Sequence, residues 1–106
     1  MADDKNLESI ANLDRIVHSP PRLMILAYLA AVENADFIFL MNQVNLTRGN
    51  LSSHLNTLEE AGYVSINKEF VDRVPRTIIQ LTPAGRKAVT DYREQMRTVL
   101  DQLLKN

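Results

Sequence analysis

Leu51, Leu55 and Leu58 stand four and three residues apart, so a backbone turning once every 3.6 residues lines them along a single face. This spacing constrains the fold more tightly than any other feature of the chain, because both ends of the helix are also written locally. Thr47 can accept a hydrogen bond from a free backbone N–H of the first turn, and Gly62 supplies a left-handed stop. A helix over 48–61 follows. Its opposite face carries Gly49, Asn50, Ser53, Asn56 and Thr57. These residues weaken a helix by up to about 1 kcal/mol each relative to alanine. Two readings are open: a poorly optimised surface helix, or a face built for the major groove. In the groove asparagine can pair bidentately with adenine, and a missing Cβ at Gly49 allows close approach.

The flanking segments bear on that choice. Val64–Phe70 and Arg76–Leu81 are rich in β-branched and aromatic residues, and the VDRVP between them holds Asp and Pro, which predicts a two-stranded ribbon. Upstream, DFIFLMNQV forms another helix with Asp36 as N-cap, and Val44, Asn45 and Leu46 make a tight turn. A short strand around Phe37–Phe39 is a competing local reading. The helix-turn-helix then occupies about 36–61 and the wing about 63–81.

Three segments in this order, LDRIVHSPPRLMIL, LTRGNLSSHLNTLEEAGYV and PRTIIQLTPAGRKAV, make the chain resemble the MarR/ArsR-like winged-helix transcriptional regulators, in a short stand-alone form, from Leu13 to Val89. The resemblance implies a mainly α fold with a small β-hairpin wing, and a homodimeric, sequence-specific DNA-binding regulator whose partners are double-stranded DNA and itself. Two recognition helices would enter successive major grooves about 34 Å apart. The candidate DNA-binding residues are Thr47, Arg48, Gly49, Asn50, Ser52, Ser53, Asn56 and Thr57 on the helix. Lys68, Arg73 and Arg76 join them from the wing, where guanidinium groups suit phosphate oxygens and narrow grooves. A competing role for the two arginines is a solvated charge, or a pair with Asp72 or Glu69.

The chain ends read as dimerisation helices. Leu7, Ile10, Leu13, Ile16 and Val17 follow helical spacing and predict a helix over about 7–18. Ser19, Pro20 and Pro21 then cap and open a second helix, in which MILAYLAAV is apolar nearly all round. Thr82 and Pro83 begin the last helix, over about 83–104 and about 33 Å long. Its stripe of Ala88, Tyr92, Met96, Val99, Leu100, Leu103 and Leu104 outreaches a small domain. A two-fold dimer would cover it, through Leu7, Ile10, Met96, Val99, Leu100, Leu103 and Leu104. An unidentified small-molecule effector could lie near Tyr28, Tyr92 and Met96, as in MarR-like sensors, although core packing explains these residues equally well.

With 106 residues, the whole chain 1–106 is expected to be a single domain. It lacks cysteine and any long apolar run, and is expected to be cytoplasmic. No metal or cofactor is expected: the three glycines stand singly, and neither His18 nor His54 has a ligand partner at metal-binding spacing. Nor is it expected to be an enzyme, since neighbouring Ser53 and His54 diverge by about 100° on a helix. His18 reads as a helix-end hydrogen bond or partly buried tip; His54 could pack or touch a phosphate.

Twelve Lys and Arg face thirteen Asp and Glu, with a pI near 6.1. Around the predicted interface Arg48, Lys68, Arg73 and Arg76 only balance Glu59, Glu60, Glu69 and Asp72. Few phosphate contacts and modest affinity follow. That balance also leaves an alternative open, a winged-helix protein–protein interaction module that does not bind DNA.

Overall fold

A computed structural model describes the backbone of residues 2–104 and the side chains of residues 7–104. Its elements are α1 (Ala2–Ala11), α2 (Pro20–Ala31), β1 (Ala35–Asp36), α3 (Phe37–Val44), α4 (Arg48–Glu60), β2 (Val64–Val71), β3 (Val74–Leu81) and α5 (Pro83–Leu104). The strands form an antiparallel sheet in the order β1-β3-β2. This is the mainly helical winged helix-turn-helix expected from the sequence, with a long C-terminal helix.

The leucine stripe of α4 is realised. Leu51, Leu55 and Leu58 are 0%, 2% and 0% exposed, packed with Ile25, Leu26 and Leu29 of α2, Leu40 of α3 and Ile79 of β3. Burying three leucines contributes roughly 6 kcal/mol. That exceeds the roughly 3 kcal/mol of helix propensity forgone by the five small polar residues opposite. Packing therefore holds α4, and its outer face is free to carry other chemistry.

Caps set most boundaries. The Asp36 carboxylate accepts from the N–H groups of Ile38 and Phe39 at 3.1 and 3.2 Å, and Thr47 Oγ1 accepts from that of Asn50 at 3.2 Å. Because Asp36 caps α3 at that point, the brief strand lies at Ala35–Asp36, and Phe37–Phe39 is already helical. Asn45, at φ 54°, makes the turn between α3 and α4. Ser19 occupies the N-cap position of α2 but makes no side-chain capping bond.

The first helix departs from expectation: it runs over Ala2–Ala11, and residues 12–19 are turns. Asp14 Oδ1 accepts from the N–H groups of Ile16 and Val17 at 2.9 and 3.2 Å, offering the backbone an alternative to the helix. Leu13 and Val17 are nevertheless buried. Their spacing therefore reported core contacts made from a loop.

The wing is welded to α5 through a short hydrogen-bonded joint. Gly62, at φ 81°, ends α4; its carbonyl accepts from Thr82 Oγ1 at 2.6 Å, and that hydroxyl accepts from the Gly85 N–H at 2.9 Å. Beyond this joint α5 runs alongside α1. The molecule is elongated, 62 × 24 × 21 Å, with a radius of gyration of 16.3 Å, against about 13 Å for a compact chain of this length.

Candidate nucleic-acid interface

The outer face of α4 is open. Thr47, Arg48, Gly49, Asn50, Ser53 and Asn56 are exposed, and Ser52 and Thr57 are half-buried. Thr57 donates its hydroxyl to the Ser53 carbonyl at 3.2 Å, and no Cβ at Gly49 would meet a neighbour within 4 Å. Arg48 lies over the Phe37 ring, 5.6 Å from its centroid, a cation–π contact that steadies the guanidinium at the start of the helix.

The register of the ribbon decides which wing residues join this face. Directly paired residues share one side of a sheet. The pairs Val64–Leu81, Ile66–Ile79, Lys68–Thr77 and Phe70–Pro75 lie on one side, and Glu69–Arg76 and Val71–Val74 on the other. The first side faces α4 across a cleft of about 420 Å³, lined by Phe37, Arg48, Ser52, Leu55, Asn56, Ile66, Lys68 and Thr77. Lys68 thus stands with the α4 candidates. Arg76 does not: it lies on the opposite side, with Nη1 3.7 Å from Asp36 Oδ1. The pair is partly exposed and contributes at most about 1 kcal/mol. Thr77 and Phe37 belong to the cleft and escaped sequence reasoning. The signal that could have found Thr77 is the two-residue turn, which fixes its pairing with Lys68.

That turn is itself strained. Asp72 and Arg73 both have positive φ, 52° and 68°, as a tight hairpin requires, yet neither is glycine. Arg73 therefore holds a conformation that glycine would adopt more easily. Arg73→Gly is expected to stabilise the isolated protein by about 0.5–1 kcal/mol, read by urea unfolding, while weakening its binding to DNA. A variant that gained stability and lost no affinity would remove Arg73 from the interface.

Other polar groups are committed to structure. Arg22 donates from Nε to the Ile16 carbonyl at 2.6 Å and from Nη2 to that of Arg15 at 3.3 Å, and its Nη1 lies 3.2 Å from His54 Nδ1. A guanidinium only donates, so His54 Nδ1 accepts and Nε2 carries the hydrogen. Arg22 thus ties the 12–19 loop to His54 of α4. The Tyr63 hydroxyl donates to Asp14 Oδ2 at 2.6 Å; this bond, then burial and the charges of Asp14 and Asp91, push its pKa up to about 12. His18 Nδ1 lies 2.6 Å from the Tyr92 hydroxyl, whose pKa burial raises. Tyr28 stands beside Phe39, and Met96 packs against the core, so all three residues considered for an effector site have packing roles.

Comparison with known proteins places this geometry. The family model described as a winged helix DNA-binding domain matches residues 22–100. The chain belongs to this family. A relative in Methanocaldococcus jannaschii, an uncharacterized protein, is 41% identical over 78 residues, 74% of this chain and 85% of that one. The structure of a transcriptional regulator homologue from Pyrococcus horikoshii superposes with a TM-score of 0.84 at 32% identity, over 95% of this chain and 99% of that one. A MarR-family regulator from Silicibacter pomeroyi shares the fold, with a TM-score of 0.64 at 23% identity over 99% and 70% of the two chains. The winged helix described here is that of a transcriptional regulator, with the fold of a MarR-family member.

Proposed function

We propose that this winged helix is a homodimer that binds double-stranded DNA in a sequence-specific manner. In this reading α4 enters the major groove and the wing rests on the flanking backbone or minor groove. The observation that carries the reading is the outer face of α4, where Asn50, Ser53 and Asn56 are exposed and Asn56 shares a cleft with Arg48 and the wing's Lys68. Short amides and hydroxyls read base edges, and the flanking cations hold phosphates. Arg73 is a second phosphate or minor-groove contact at the tip. Arg76 has a lesser share, because Asp36 competes for it.

Dimerisation is supported by the far end of the molecule. Leu7, Ile10, Leu100, Leu103 and Leu104 remain exposed on α1 and α5, Leu104 at 84%. Val99 is buried in the chain's own packing, and Met96 is half-buried against it. A two-fold axis through the exposed leucines would bury them and present two copies of α4 to one side of a duplex.

Selection from a random-sequence duplex pool tests the proposal. An inverted repeat with half-site centres about 10 base pairs apart should be enriched, matching two recognition helices one turn apart. A pool that stays random after several rounds at low salt contradicts sequence-specific binding.

A further inference from the structure

We propose that the wing tip is an apolar wedge, in which Phe70, backed by Pro75, enters the minor groove and opens a base step. This inference rests on the DNA-binding reading above. Phe70 is 78% exposed, and Val71 and Val74 beside the turn are 44% and 46% exposed. An apolar cluster held in water at the end of a ribbon marks a contact with something outside the chain.

Three features favour DNA over a protein partner. Phe70 and Pro75 lie on the same side of the ribbon as Lys68 and Thr77, which line the cleft beside α4. The wedge therefore extends the candidate interface outward. Charge is also sorted between the two sides: Glu69 lies opposite with Arg76, and the strand positions of the α4 side between Ile66 and Ile79 hold Lys68 and no acid. Finally, the tip is small, a two-residue turn at Asp72 and Arg73 carried on two strands. A stable protein interface needs a far broader area.

An aromatic side chain inserted from the minor groove partly unstacks one step and bends the duplex toward the major groove. Pyrimidine–purine steps yield most easily, so the site should carry a TA or CA step about half a helical turn outside each half-site centre.

The test uses the full chain and a duplex carrying the recovered inverted repeat, with 2-aminopurine replacing adenine at that flanking step. Wild type should raise its fluorescence and bend the duplex, as read by circularly permuted fragments in gels. Phe70→Ala should select the same repeat, bind it roughly tenfold more weakly, and leave the fluorescence unchanged. Phe70→Lys should recover affinity through phosphate attraction without unstacking. Wild-type binding with no fluorescence rise and no bend overturns the wedge and leaves the DNA reading intact. Identical affinity, bend and fluorescence in Phe70→Ala also overturns it, and assigns the tip to a protein partner. Failure of wild type to bind any duplex overturns both readings.

Discussion

Gly85→Ala should lower the melting temperature by roughly 15 °C, the consequence of about 3 kcal/mol of lost stability in a domain of this size. A Cβ at this position would collide with the Tyr63 carbonyl oxygen, and would stand 2.8 Å from Leu81 Cδ1 and 2.9 Å from the Tyr63 carbonyl carbon. The Tyr63 carbonyl is not free to retreat, because it accepts from the Thr82 N–H at 3.0 Å. The methyl group would therefore push α5 away from the wing at the joint that orients both. Gly49→Ala is the matched control: its new Cβ meets nothing, and helix propensity predicts a gain of up to about 1 kcal/mol. Circular dichroism melts of both variants give the comparison. A Gly85→Ala protein melting with wild type would show that the joint yields without cost.

The second large effect concerns assembly. Leu100→Asp combined with Leu103→Asp places two charges on the exposed stripe of α5, at positions half-exposed or more in the single chain. Such sites tolerate charge in a monomer and not in a buried dimer interface. Light scattering should find wild type at about 24 kDa, twice the 12.0 kDa chain mass, and the double variant at the chain mass with its helical signal retained. Affinity for an inverted repeat should fall at least about a hundredfold, because each half-site would then be bound without its tethered partner. Wild type at the chain mass, or a variant still at twice that mass, contradicts the proposed interface.

The features legible in the sequence were those whose causes are local. The ends of α4 were legible because Thr47, Gly62 and the leucine spacing all lie within a few turns of each other. The start of α5 is legible from Thr82 and Pro83 in the same way. Leu13 and Val17 mislead because a loop can bury apolar residues at helical spacing, and the Asp14 carboxylate that holds the turn at Ile16 and Val17 leaves no periodic trace. Arg76 read as a phosphate contact because its partner, Asp36, arrives only when β1 pairs with β3. Arg22 with His54, and Tyr63 with Asp14, are equally non-local. The apolar tip stayed hidden in VDRVP because Asp72 and Arg73 make a tight turn without the glycine that usually marks one. Strand pairing therefore extends to Val71 and Val74, and places Phe70 on the α4 side.

The central claim, that α4 and the wing form a DNA-binding surface, is tested most directly by the salt dependence of binding to the recovered duplex. Two chains, each contributing Arg48, Lys68 and Arg73, would neutralise about six phosphates, so log K should fall against log salt with a slope near −5. Affinity would then drop by about a thousandfold between 50 and 200 mM salt. A slope near zero would contradict the account, because counterion release would be absent, and would identify the same winged helix as a module for apolar protein contacts.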